Sequence, residues 1–196
     1  SIANLSTFGS SGIVIGTVAR DSIELIGAYG NFDLTGFTNT LAGSASSAKT
    51  IYGNWTFPAS GGTFSTTAAI TTFAATSGIK TITSNGRSFG SPVTFDGVGG
   101  SWNLADALTL GVNRVLTLTN GSFNANNKNV TAGGFASNNS NTRTLTMGSG
   151  IWDGIGVGNV WNFATTTGLT FSANTSTILF SATTGSPRDR KSTRLN

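Results

Sequence analysis

The sequence predicts an all-β chain folded as a parallel β-solenoid, a stack of short coils, and three observations lead there. The first is a recurring segment in which a Gly or small polar residue leads into an aromatic, a polar residue and another apolar one. It occurs at Tyr29-Gly30-Asn31-Phe32-Asp33-Leu34, Tyr52-Gly53-Asn54-Trp55-Thr56-Phe57, Gly99-Gly100-Ser101-Trp102-Asn103-Leu104 and Gly158-Asn159-Val160-Trp161-Asn162-Phe163. Phe32 and Trp55 are 23 residues apart, Trp55 and Trp102 are 47 apart, and Phe123 follows Trp102 by 21. A recurrence in the twenties marks stacked repeats, each too small to bury a core alone. Trp161, 38 residues after Phe123, fits no whole multiple.

The second observation is composition. Thr, Ser, Asn and Gly make up 102 of the 196 residues, and charged residues only 9%, against roughly 25% in an ordinary soluble domain. With 37% hydrophobic residues, 13 Phe and 4 Trp, the chain has enough to bury and is not compositionally disordered. It is poor in helix formers and rich in β-branched and turn residues. The third observation is short apolar/polar alternation bounded by Gly, Asn or Ser, as short strands require. At this recurrence the length suits about eight coils.

Taken in order, residues 1–50 read as a less regular set of coils, with Gly12-Ile13-Val14-Ile15-Gly16 as a strand and Ser44-Ala45-Ser46-Ser47 as a loop. Thr81-Ile82-Thr83 and Val93-Thr94-Phe95 alternate cleanly. Ser101 to Leu110 has some helical character, but it is short and adjoins a repeat segment, so strand and turn are expected. Val115-Leu116-Thr117-Leu118-Thr119, Thr144-Leu145-Thr146-Met147 and Leu169-Thr170-Phe171 continue the pattern. Leu116, Leu118, Leu145, Phe171 and Ile178 are expected to point inward, with Trp55 above Trp102 in one core column. Asn85-Gly86 and Asn120-Gly121 supply positive φ, and Asn-Gly between strands is also the strongest hairpin signal. That signal supports the alternative fold, an antiparallel β-sandwich. In a solenoid, turn Asn residues can instead stack from coil to coil, each amide bonding the next.

The last eight residues, Asp189 to Asn196, differ abruptly from the rest. They can be encoded by GAT CGG AAG AGC ACA CGT CTG AAC, which resembles a sequencing-library adapter read in frame. The expectation is one solenoid fragment over 1–187 and a disordered, non-native tail over 188–196. Residues 1–187 then carry 7 basic and 6 acidic groups, a net charge of +1. The basic pI belongs to the tail, and nucleic-acid binding loses its main support.

No apolar run approaches the roughly 20 residues that span a bilayer. With no His and no Cys, Ser-His-Asp triads, Cys-His pairs and the usual zinc sites are excluded within this chain. Phosphate-cradling Gly motifs and calcium-binding nonapeptides are absent, so no cofactor or metal is implied. Gly154-Ile155-Gly156-Val157-Gly158 reads as a turn from one coil into the next. Paired carboxylates are the remaining catalytic device, and Asp33, Asp96, Asp106 and Asp153 are the candidates. Asx-turn duty accounts for Asp96 before Gly97 and Asp153 before Gly154. Trp55, Trp102 and Trp161 read as core; Trp152, off their register, is the expected exposed ligand contact.

Residues 79–187 resemble the Gly/Thr/Asn-rich repeat stretches of bacterial surface proteins and phage tail or fibre proteins. The resemblance is carried by Phe95-Asp96-Gly97-Val98-Gly99-Gly100-Ser101-Trp102, Leu116-Thr117-Leu118-Thr119-Asn120-Gly121-Ser122-Phe123 and Asn141-Thr142-Arg143-Thr144-Leu145-Thr146-Met147-Gly148. It implies an extracellular, cell-surface or virion-exposed segment, structural or adhesive and non-catalytic. Cell-surface glycans are the partner it suggests, with homo-oligomerisation compatible. A carbohydrate-binding module and a polysaccharide-degrading tail spike are the alternatives.

Overall fold

The computed structural model describes residues 2–6, 13–14, 22–42 and 48–182. They form a β-solenoid of about seven turns with no helix, and every strand pairing is parallel. The proposed tail and the Ser44–Ser47 segment lie outside the described residues. Each coil has three faces. The first face runs through Lys49–Ile51, Thr71–Phe73, the start of Val93–Leu104, the start of Val115–Asn124, Gly134–Ala136 and Trp161–Asn162. The second runs through Phe32–Asp33, Trp55–Thr56, Ile79–Thr83, the later halves of the two long strands, Arg143–Thr146 and Leu169–Ser172. In the later coils the third is a separate five-stranded sheet: Ser88–Phe89, Leu108–Leu110, Val130–Ala132, Ile151–Gly154 and Thr177–Leu179.

Parallel registration stacks like on like. Tyr29, Ile51, Phe73, Phe95 and Leu118 form one inward column on the first face. On the second face, Trp102, Phe123, Leu145 and Phe171 form another. Rings stack within and between columns: Phe95 on Phe123 at 4.4 Å and 18°, Phe32 on Trp55 at 4.4 Å and 22°. Such ring pairs add to the area they bury, by about 0.5–1.5 kcal/mol each.

The repeat segment at Phe32 and Trp55 is a true coil-to-coil repeat. Phe32 faces Trp55 in register, Tyr52 N–H donates to Tyr29 O at 2.8 Å, and Asn54 N–H donates to Asn31 Oδ1 at 2.8 Å. Trp102 does not continue it. Trp55 is in register with Ile82 and hence with Leu104, while Trp102 faces Lys80, two positions earlier along the strand. The expected Trp55–Trp102 column is therefore corrected to two adjacent columns. Trp161 fits no multiple because it changes face, facing Phe135 on the first rather than Phe123 on the second.

Leu116, Leu118 and Leu145 are buried as expected, and Ile178 is half-buried against the core. Phe171 is 42% exposed, because no described rung follows it in its column. Neither Asn-Gly pair closes a hairpin. Asn85 and Gly86 both have positive φ (50° and 72°), but they turn the chain between strands of different sheets. Gly121, at φ 78°, bends the chain within Val115–Asn124. The turn amides do bridge coils, to backbone or, for Asn120, to the Asp96 carboxylate, rather than to one another. Asn126 Nδ2 donates to Leu104 O at 3.0 Å, and Ile151 N–H donates to Asn129 Oδ1 at 2.9 Å.

Several corners admit only Gly because neighbouring backbones touch there. A Cβ on Gly156 would overlap Gly133 O, and one on Gly133 would overlap Val112 O. Gly156→Ala should therefore lower unfolding stability by about 1–3 kcal/mol, the cost of overpacking. Gly111, where a Cβ would meet only Arg114 Cγ at 3.6 Å, provides the control. Gly111→Ala should leave stability unchanged or raise it by up to about 1 kcal/mol. Urea titration of both variants against the parent checks the pair.

Candidate functional site

The four Asp candidates do not converge. Asp33 accepts from Thr35 N–H at 2.8 Å and Thr35 Oγ1 at 2.6 Å, an Asx turn of its own. Asp96 accepts from Asn120 Nδ2 at 2.6 Å on the next coil, rather than capping the turn at Gly97. Asp153 accepts from Ser181 N–H at 3.2 Å and Ser181 Oγ at 2.8 Å, again one coil on. Asp106 clamps the preceding coil, taking Ser84 N–H at 2.7 Å and Ser84 Oγ at 2.9 Å. Asp96 and Asp106 flank opposite ends of the second-face run of one coil, and Asp153 stands on the outer side of the third face. Asp33 lies three rungs from Asp106 along the axis, about 14 Å at the usual strand spacing. Each carboxylate is thus committed to turn or inter-coil bonding. Among the described residues no group of three His, Cys, Asp or Glu side chains could hold a metal ion.

Trp152, expected as the exposed contact, is only 1% exposed. It falls off the register of the other Trp residues because it belongs to the third face, between Val130 and Ile178. Its ring packs among Phe123, Phe135 and Trp161, and its Nε1–H donates to Met147 O at 3.3 Å. This indole is core, and no ligand reaches it from solvent.

Among the described residues, two surfaces stand out as able to meet a partner. The first is a set of outward columns. Thr50, Thr72, Thr94 and Thr117 line up on the first face. On the second, Ser101, Ser122, Thr144 and Thr170 run beside Thr81, Asn103, Asn124, Thr146 and Ser172. None of these positions carries a charge, and successive rungs repeat at about 4.8 Å. Hydroxyls and amides in such rows offer both donors and acceptors at a fixed period.

The second surface is an apolar groove of about 180 Å³ lined by Trp161, Phe163, Thr166, Leu169 and Phe171. Trp161 and Phe163 stack at 4.7 Å and 25°. Sequence reasoning placed Trp161 and Phe171 in the interior, since it followed their strand parity; the groove arises where the last described rungs leave those columns uncovered.

Arg143 was not singled out from the sequence either. It is 1% exposed, and its guanidinium makes five hydrogen bonds: Nε–H to Ser137 Oγ at 2.6 Å, and four to the carbonyls of Ser137, Asn141, Thr165 and Thr167 at 2.7–2.8 Å. Burial pushes its pKa below the ordinary Arg value. The signal was present: Arg143 shares strand parity with Leu145, so alternation alone turns it inward.

Comparison with protein-family models, curated proteins and solved structures finds no match for this chain. No helix among the described residues is long and apolar enough to cross a membrane.

Two substitutions separate core from contact residues. Trp152→Ala should destabilise the chain by about 3–5 kcal/mol. Arg143→Met should cost about 3 kcal/mol or more, since it strands carbonyls that charged donors now satisfy. In the Arg143 variant, hydrogen exchange should accelerate first at residues 137–143 and 165–169, the loops its side chain ties together.

Proposed function

We propose that this chain is a non-catalytic structural and adhesive segment of a bacterial surface protein or phage tail fibre. One observation carries the reading: the uncharged Thr, Ser and Asn columns that repeat rung after rung on the outer faces. Parallel coils tied by backbone bonds make a rigid rod, and short polar side chains in register give it many equivalent shallow contacts. Such contacts hydrogen-bond glycans weakly one at a time. Adhesion then comes from repetition along the rod or across copies of the chain. The commitment of Asp33, Asp96, Asp106 and Asp153 to structural bonds supports the non-catalytic side of the reading. In this role the chain works outside the cell or on a virion.

A carbohydrate-binding module is the second reading, and the groove at Trp161, Phe163 and Phe171 favours it. Aromatic faces stack on sugar rings, and a specific module would concentrate its affinity there.

The experiment incubates the protein with a panel of bacterial polysaccharides and measures both retention and chain length. Weak, distributed retention with unchanged polymer length is expected, and Phe171→Ala should reduce retention by less than about threefold. A loss of tenfold or more in that variant would favour the binding module. Depolymerisation that disappears in Asp96→Asn or Asp106→Asn would show the chain to be an enzyme.

A further inference from the structure

The interior is also polar where Lys49 stacks on Thr71. Lys49 and Thr71 occupy the inward column that Val93, Leu116 and Phe135 fill further along. Thr71 and Ser91 share a hydroxyl–hydroxyl bond of 2.7 Å, and Thr67 Oγ1 accepts from Ala69 N–H at 3.1 Å. Lys49, Thr67, Thr71 and Ser91 are all buried. These four side chains, with Trp55 and Phe89, line a half-open pocket of about 30 Å³. Trp55 is 1% exposed, and its Nε1–H has no hydrogen-bond partner.

We propose that this pocket is a built site for an ordered water molecule that accepts from Trp55 Nε1–H and donates to the hydroxyl cluster. Its volume exceeds the roughly 10–15 Å³ that one water needs. Its chemistry fits as well, because a buried water makes about three hydrogen bonds to polar groups otherwise short of partners. An indole N–H can only donate, so it requires an acceptor. In the Thr71–Ser91 pair one hydroxyl donates to the other, and a hydroxyl oxygen, with two lone pairs, can also accept from a water. A water supplies one lone pair to the indole and two hydrogens to the hydroxyls. An apolar filling would leave the indole N–H unsatisfied. The water thereby bridges Trp55 of one coil to Thr71 and Ser91 of the next, where side-chain packing alone does not fill the core.

The test is a crystal structure of the full chain at about 1.5 Å resolution, beside that of Trp55→Phe. The parent should show a water within hydrogen-bond distance (~3 Å) of Trp55 Nε1 and of at least one of Thr67, Thr71 or Ser91. In Trp55→Phe that water should be lost or moved from the ring edge. Should the variant not fold, Thr71→Val in the parent background should weaken or displace the water. An empty pocket in the parent, a chloride or other ion in it, or a water indifferent to both substitutions would overturn the proposal.

Discussion

Every feature of this chain depends on hydrogen bonding between equivalent residues of successive coils, parallel and in register at about 4.8 Å. Under that constraint each side chain's closest neighbour is its counterpart roughly one coil, some 18–27 residues, away. Large rings are accommodated inside because they can lie nearly flat on one another, as Phe32 lies on Trp55. At the corners the same spacing presses backbone onto backbone, and Gly156 and Gly133 are the response. On the outside it aligns β-branched Thr, whose χ1 is stiff and whose hydroxyl keeps its contact with solvent. Composition, turn chemistry and surface all follow from one spacing.

The constraint also determines how polar groups are treated. A bare core column would be hydrophobic throughout, yet Lys49, Thr71 and Arg143 face inward. Arg143 lies beside two widened corners, residues 137–142 and 163–168, whose carbonyls turn inward and need donors. One guanidinium with five N–H groups satisfies them together, where shorter side chains could not span the gap. The longer corners and the buried cation therefore belong to one arrangement. Asp106 performs the complementary service at a tight corner, accepting the N–H and hydroxyl of Ser84.

The sequence carried the architecture and most of the inward set, because alternation in Val93-Thr94-Phe95 and Thr144-Leu145-Thr146 is local and periodic. Assignment of residues to columns was harder. Phe32 and Trp55 were paired correctly because the corners between them are short and alike. Trp102 and Trp161 were misplaced because corner lengths vary, so a count along the chain drifts between columns and then between faces. Trp152 was mistaken for a surface residue for the same reason: its third-face column has its own 22-residue step from Val130 to Trp152. The exposed groove could not be read from pattern, since Phe171 alternates like a core residue and is open only because of its place in the stack. The inter-coil roles of Asp96, Asp106 and Asp153 depend on partners 22–28 residues away, beyond the reach of local turn rules.

On the proposed reading the rod serves reach and repeated contact, since it distributes like groups along its length. Its central claim, parallel registration, can be measured directly because the sequence contains no Cys. Spin labels attached to Thr94→Cys and Thr117→Cys, together in one molecule, would sit on adjacent rungs of the first face. Labels at Thr72→Cys and Thr117→Cys would sit two rungs apart, about 10 Å between backbones. The account predicts strong dipolar broadening in the first pair and distinctly weaker broadening in the second. Equal or absent broadening in both would contradict a parallel in-register stack.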